Sequence, residues 1–464
     1  MKQIDNRNYQ KTKWFLLMLI VFFASCRLND IYKCPAGIVD NKLYRDAYST
    51  DTTNIANIPW KQMFSDTLLQ KLIREGIDNN LDLKIALARM KLAEANLRQS
   101  KAAFYPTLDV TASGPIGNTE KIVNTSTLYE VSVGSSWEAD IWGKMRSSKR
   151  AALAAFLQSD AYKKAVQTQL VADIASDFYT LLAYDAQLQV TLKTVDNRTL
   201  DVEIMKKLKE SDVVTGAAVV QSEANRYSVE VTIPDLMQSI RVTENALSIL
   251  LGRNPGSIIR DSLNNQHVWT GLQIGVPLQL LANRPDVMEA EYQLRASCEL
   301  TNVARSYFYP SLTITAQGGF ANVNISQLFN PTSLFGNVVG ALTQPVFNHG
   351  LNKQRLEIAK AQQEESLAAF KKAILNAGQE VLNALYNYQA ATDKIKIREQ
   401  QINFLQKSVD FTKELLKYTA NTNYTDVLTS EQSLLSAQLS SVSDKVQQLQ
   451  ATIALYRSLG GGWR

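Results

Sequence analysis

The chain is written twice, so a fold adopted by one half must also suit the other. Asn79 to Gly114 and Asn283 to Gly318 align at a constant offset of 204. Asp82 falls on Asp286, Phe104-Tyr105-Pro106 on Phe308-Tyr309-Pro310, and Leu108, Val110 and Ala112 on Leu312, Ile314 and Ala316. Further along the offset becomes 208, where Ala161-Tyr162-Lys163-Lys164-Ala165 matches Ala369-Phe370-Lys371-Lys372-Ala373. At that spacing Ser222-Glu223 matches Ser430-Glu431, and Leu251-Gly252 matches Leu459-Gly460. An ordered series over most of the chain is the mark of a duplicated structural unit.

Each copy reads as helix, strand, strand, long helix, returning helix. After Pro106, Thr107, Asp109 and Thr111 alternate with Leu108, Val110 and Ala112. Next, Tyr129, Val131, Val133, Trp137, Ala139 and Ile141 alternate with Glu130, Ser132, Gly134, Ser136, Glu138 and Asp140, a period of two that predicts strands. In the second copy Leu312, Ile314 and Ala316 alternate with Thr313, Thr315 and Gln317, and the partner strand near Phe335 to Thr343 is less regular. Polar loops, Pro115 to Leu128 and Ala321 to Ser333, join the pairs. The long helices carry narrow apolar seams, such as Ile174, Phe178, Leu181, Leu188, Leu192, Val195, Val202 and Met205, spaced as in coiled coils. Arg146 to Glu210 and Asn352 to Tyr418 contain no proline. At 1.5 Å per residue each gives a rod of roughly 100 Å. Turns are expected near Asp212 to Gly216 and Asn421 to Asp426, after which a shorter helix returns.

The amino terminus sets the compartment. Trp14 to Ala24 is an apolar run behind a basic segment. It is too short to span a bilayer and suits a signal-peptide core. It leads into Phe23-Ala24-Ser25-Cys26, which resembles a bacterial lipoprotein signal with Cys26 as the acylated first mature residue; an ordinary secretory signal with an incidental cysteine is the alternative. Cys34 and Cys298 remain; a disulfide between them is the alternative in an oxidising compartment, and a packed, free Cys298 is expected. The net charge of +5 includes +3 from the first 25 residues, leaving a balance that does not point to nucleic acid. His267 and His349 are the only histidines and show no metal-ligand spacing, and no phosphate-binding glycine loop or nucleophile elbow is present. No cofactor and no enzymatic activity are expected.

Strand pairs in an exported, otherwise helical chain read best with their apolar face toward lipid. Asp109, Glu130, Ser132, Glu138, Thr313 and Thr315 would then line a lumen. Four strands cannot close a barrel, and an open edge cannot sit in lipid, so several chains must pool their strands. The expected fold class is mainly α with a small β part, built of internally duplicated long helical hairpins. The expected divisions are a signal peptide at 1–25, an anchor and equatorial segment at 26–59, and a first repeat at 60–252. A linker at 253–282 and a second repeat at 283–464 follow. Strands are expected at about 105–142 and 308–347, and hairpins at about 146–251 and 351–460.

Several stretches together name a family. They include Trp137-Glu138-Ala139-Asp140-Ile141-Trp142-Gly143, Leu250-Leu251-Gly252-Arg253-Asn254-Pro255 and Leu280-Leu281-Ala282-Asn283-Arg284-Pro285-Asp286-Val287. Gln344-Pro345-Val346-Phe347 and the Leu455 to Trp463 ending add to them. The chain resembles the TolC-like outer-membrane factors, in their OprM-like lipoprotein branch, over nearly the whole mature length. The resemblance implies a homotrimer with a twelve-stranded barrel in the outer membrane and a periplasmic tunnel of twelve helices. It also implies a periplasmic adaptor and an inner-membrane transporter as partners. Passive efflux is the function implied, with a duct for type I protein secretion or metal-ion export as the alternative.

In that pattern the second returning helix carries an Asp–Arg latch at the periplasmic gate. The aligned positions here are Thr425, Thr429 and Gln432, with Ala217, Gln221 and Ala224 as copy-one counterparts, all uncharged. A closed state is therefore expected to rest on packing and neutral hydrogen bonds. Glu223 and Glu431 recur nearby, either as an acidic ring or as groups facing solvent or a neighbouring helix. Arg284 reads either as a lumenal contact or as the lead-in to a helix whose first turn holds Pro285 and Asp286.

Overall fold

The computed structural model describes residues 32–33, 43, 55–114, 128–267, 282–418 and 424–464. The signal segment, Cys26, Cys34, nearly all of the first strand loop and half of the linker lie outside the described residues. The described helices are α1 (Thr67–Asn79), α2 (Leu81–Ala102), α3 (Lys144–Glu210), α4 (Gly216–Glu230) and α5 (Thr232–Leu250). After these come α6 (Pro285–Ser306), α7 (Leu351–Tyr418) and α8 (Tyr424–Ser458). The strands are β1 (Thr107–Ser113), β2 (Tyr129–Ala139), β3 (Ser311–Asn322) and β4 (Leu334–Thr343).

The chain divides into two compact units, the first holding Lys91–Gln158 and Ala290–Phe370. Its centre is one antiparallel sheet in the order β1-β2-β3-β4. The register places Val110 opposite Val133, Trp137 opposite Ile314 and Leu312 opposite Leu342. Each first strand begins directly after its proline, which has no N–H to offer a ladder. The expected second strand ran to Ile141, but β2 stops at Ala139 because Asp140 has another use. Its carboxylate accepts from the backbone N–H of Met145 and Arg146 at 2.9 and 3.0 Å, capping the start of α3.

The second unit holds Gly37–Met90, Ser159–Glu289 and Lys371–Arg464. Its core takes in part of the expected seam: Ile174, Phe178 and Leu181 on α3, and Ile374, Ala377 and Val381 on α7, are all buried, whereas Leu192, expected in the same seam, is exposed. The duplication reappears as geometry. Gly252 has φ +68°, and a Cβ there would lie 2.5 Å from the Asn79 carbonyl oxygen. Its counterpart Gly460 has φ +93° and the same close approach to the carbonyl of Asn283, the counterpart of Asn79. Only glycine combines that left-handed turn with that approach.

The two copies differ in the returning helix. The second is one helix of 35 residues, whereas the first breaks at Val231 into α4 and α5. Pro234 is the cause: it lacks the N–H that would bond the Glu230 carbonyl, and its ring crowds that position. The Thr232 hydroxyl helps close the junction by donating to the Val229 carbonyl at 2.8 Å.

Candidate functional site: sheet faces and hairpin tips

The sheet has one apolar and one polar face. Leu108, Val110, Val131, Val133, Trp137, Leu312, Ile314, Val338 and Leu342 share the first through the strand register. Leu108, Val110 and Val338 are about three-quarters exposed, at 73%, 74% and 74%. A water-soluble half-buried sheet does the reverse. Asp109, Glu130, Ser132, Glu138, Thr313 and Thr315 all fall on the other face. There the Gln317 amide donates to Glu130 Oε1 at 2.7 Å and to Ser132 Oγ at 3.0 Å, and Lys144 pairs with Glu138 at 3.0 Å. Ser132 itself is buried, because Gly319 packs against it. On β4 the polar face carries Phe335 and Val339, which explains the weaker alternation there.

Both hairpin tips lie in the second unit. The first turn passes through Asp212, in the left-handed region at φ +57°, which aspartate tolerates better than most residues. The tips share a small core of Met205, Val219, Tyr424 and Val427, with Leu208, Leu416 and Leu428 against it. Within this core the Tyr424 hydroxyl donates to Ser222 Oγ at 2.7 Å, joining the second hairpin to the first. Thr425, Thr429 and Gln432 form an exposed stripe on α8 at steps of four and three, and Ala217, Gln221 and Ala224 form the equivalent stripe on α4. The Thr429 hydroxyl donates to the Thr425 carbonyl of its own helix.

Glu223 and Glu431 lie off these stripes, each turned to a lysine of its own hairpin. Lys206 is 2.8 Å from Glu223, and Lys413 is 2.6 Å from Glu431. The second pair goes further, because Lys413 also lies 3.1 Å from Asp201 on α3. One ammonium thus ties α3, α7 and α8 together. An ionic tie therefore joins helices of the two hairpins within one chain, displaced from the latch positions. Burial, reinforced by the Asp201 carboxylate, holds the Glu431 carboxyl above the usual range despite the pull of Lys413. Glu223, facing water, is instead held low by its bond to Lys206.

Sequence reading missed Lys413 and Asp201 because they stand 212 residues apart. A signal was present: Lys206 precedes Glu223 by 17 residues and Lys413 precedes Glu431 by 18. Arg284 is a structural tie in the second unit. Its guanidinium is buried, donates to the Ser458 carbonyl at 2.9 Å, and pairs with Glu380 at 3.0 Å as well as with Asp286. Burial opposes ionisation of Asp286, but the bond from Arg284 holds its carboxyl below the ordinary value. Cys298 is a free, half-buried thiol. Among the described residues no His, Cys, Asp and Glu group could hold a metal, and no helix is long and apolar enough to cross a membrane.

The sequence matches the outer membrane efflux protein family over residues 72–253 and 276–461. The Escherichia coli (strain K12) cation efflux system protein CusC is 29% identical over 448 residues, covering 95% of this chain and 97% of that protein. The Pseudomonas putida antibiotic efflux pump outer membrane protein ArpC is 27% identical over 468 residues, covering 97% and 96%. A crystal structure of CusC superimposes with a TM-score of 0.84 at 28% identity, covering 94% of this chain and 100% of that one. The open state of the Neisseria gonorrhoeae MtrE channel gives 0.85 at 24% identity, covering 95% and 99%, a likeness of fold. With the family matched across both repeats, the outward apolar sheet face and the paired helical hairpins have their explanation: this chain belongs to the outer membrane efflux protein family and is the outer-membrane channel of an efflux pump, with a periplasmic helical tunnel.

Proposed function

We propose that three copies of the chain pool their sheets into one twelve-stranded barrel, with Asp109, Glu130, Ser132, Glu138, Thr313 and Thr315 toward the lumen. The duct conducts passively and catalyses nothing. Cargo is delivered by an inner-membrane transporter through a periplasmic adaptor, and Cys26 anchors each mature chain to lipid. The hairpin tips form the gated end, with the Lys413 tie and the stripes at Thr425, Thr429, Gln432, Ala217, Gln221 and Ala224 controlling its aperture. One observation carries the reading. The one described sheet has an apolar face open to its surroundings and two unpaired edges, β1 and β4, an arrangement that lipid tolerates only after closure. Cysteines scanned in pairs along β1 and β4 should give covalent trimers in native outer membranes. Links within one chain only, or dimers as the limit, would overturn the proposal.

A further inference from the structure

Residues 323–333 join β3 to β4 at the end of the sheet remote from the helices. With the helices in the periplasm, that end reaches the outer leaflet of the membrane. The loop is folded on itself through two 3-10 turns, Ile325–Gln327 and Pro331–Ser333. The Ser333 hydroxyl donates to the Gln327 carbonyl at 2.8 Å, and the Asn330 amide donates to Gln327 Oε1 at 3.1 Å. Leu328 is buried beneath these turns, whereas Phe329 is 70% exposed and Ile325 65%. Residues 322–333 contain no charged side chain, while the loop from Pro115 to Leu128 holds Glu120 and Lys121.

Two contacts fix the side of the sheet on which this loop lies. The Phe329 ring meets the Phe320 ring edge to face, with centroids 5.7 Å apart. In the register Phe320 stands between Val131 and Leu334, on the same face as Leu312 and Ile314. Asn322, two residues on, shares that face, and its amide donates to Ser333 Oγ at 2.7 Å. The loop therefore folds back over the apolar face, and it supplies the acceptor that the Asn322 amide would lack in hydrocarbon. Height agrees with this. From Leu312 to Phe320 the strand climbs about 26 Å along its own axis, or roughly 20 Å along the membrane normal at the usual barrel tilt. Phe320, with Phe329 against it, thus falls inside the upper margin of an apolar band of about 25 Å.

We infer that the β3–β4 loop is a lipid-contacting clasp, with Phe329 and Ile325 among the acyl chains of the outer leaflet. Three such loops in a trimer would fix the depth at which the barrel rides. The inference rests on the reading above that the apolar sheet face meets lipid. Lipid is the occupant because the exposed patch continues that face without a break, and because a loop free of charge has no ion to strip of water there. A loop that closed the barrel mouth against its copies would have to pack on the polar face instead.

The test uses the full-length channel with Cys34→Ser and Cys298→Ser, spin-labelled at Phe329→Cys or Ile325→Cys. It is reconstituted in vesicles of phosphatidylethanolamine and phosphatidylglycerol. Collisions with oxygen, which concentrates in hydrocarbon, are compared with collisions with a nickel chelate, which stays in water. Labels at Val133→Cys and Thr315→Cys mark the lipid and lumenal faces. The loop labels should shift the oxygen-to-nickel ratio to that of the Val133 label and away from that of Thr315. A nickel-accessible label at Phe329, or at Ile325 should the first variant fail to assemble, would place the loop in water and overturn the inference. A label that neither reagent reaches would overturn it too, by showing a cover of protein, whether a neighbouring copy or another chain. A nickel-accessible label at Val133 would remove the lipid reading of the sheet face and this inference together.

Discussion

An arginine at Val133 should obstruct assembly where one at Thr315 does not. Val133 is the fifth residue of the eleven in β2, beside Val110 and Gly318 on the apolar face. Thr315 is the fifth of twelve in β3, beside Ser136 and Val339 on the polar face. Both stand near mid-strand, so depth is matched and only the face differs. Arginine toward lipid near the midplane costs about 2–4 kcal/mol, which over three chains is about 6–12 kcal/mol per barrel. That equals or exceeds the whole stability of many proteins. Tyr129→Arg, at the end of the same strand, should cost only about 0–1 kcal/mol per chain. Outer-membrane trimer is quantified by unheated gel mobility, and stability by the urea midpoint in liposomes. The expected order of assembly is Thr315→Arg close to wild type, Tyr129→Arg slightly below, and Val133→Arg failing. Good assembly of Val133→Arg with failure of Thr315→Arg would show the faces reversed.

At the tip, the raised Glu431 pKa means that the folded protein holds that proton more tightly than the unfolded chain. Stability contributed there is therefore present below the unfolded value of 4.5 and lost as pH rises through the raised folded value. Glu431→Gln should flatten the pH dependence of the thermal midpoint in that window, and an unchanged slope would refute the assignment. Glu223→Gln combined with Glu431→Gln should leave the reversal potential in planar bilayers nearly unchanged, because both carboxylates turn to lysines; loss of cation preference would place them on the aperture. Cys26→Ala should abolish lipid labelling while trimers still form, since one lipid anchor adds little to a barrel that inserts by itself; equal labelling of wild type and variant would discard the anchor.

What the sequence discloses follows periodicity. Strand faces were legible because alternation is a local property, and β1, β2 and β3 carry it cleanly. The long helices were legible from seams without proline, and α3 and α7 end at Glu210 and Tyr418 as expected. The end of β2 was not, because Asp140 fits the polar alternation equally well whether it extends a strand or caps a helix. The tie through Lys413 was hidden for another reason. It depends on how closely α3 approaches α7, a tertiary quantity that no spacing along either helix contains. Arg284 shows the converse: its motif was conspicuous, and its role is to bind the end of α8 to the start of α6.

The break at Val231 bears on mechanics. A continuous helix resists bending because each peptide is braced to the one four residues away, and the missing Pro234 donor removes one brace from the first returning helix only. α8 runs through the corresponding region unbroken. In the proposed trimer, six hairpins that look interchangeable from outside would thus be three stiff struts alternating with three jointed ones. Such a ring opens as an iris with threefold rather than sixfold compliance, its blades flexing at the joints while the struts hold the circumference.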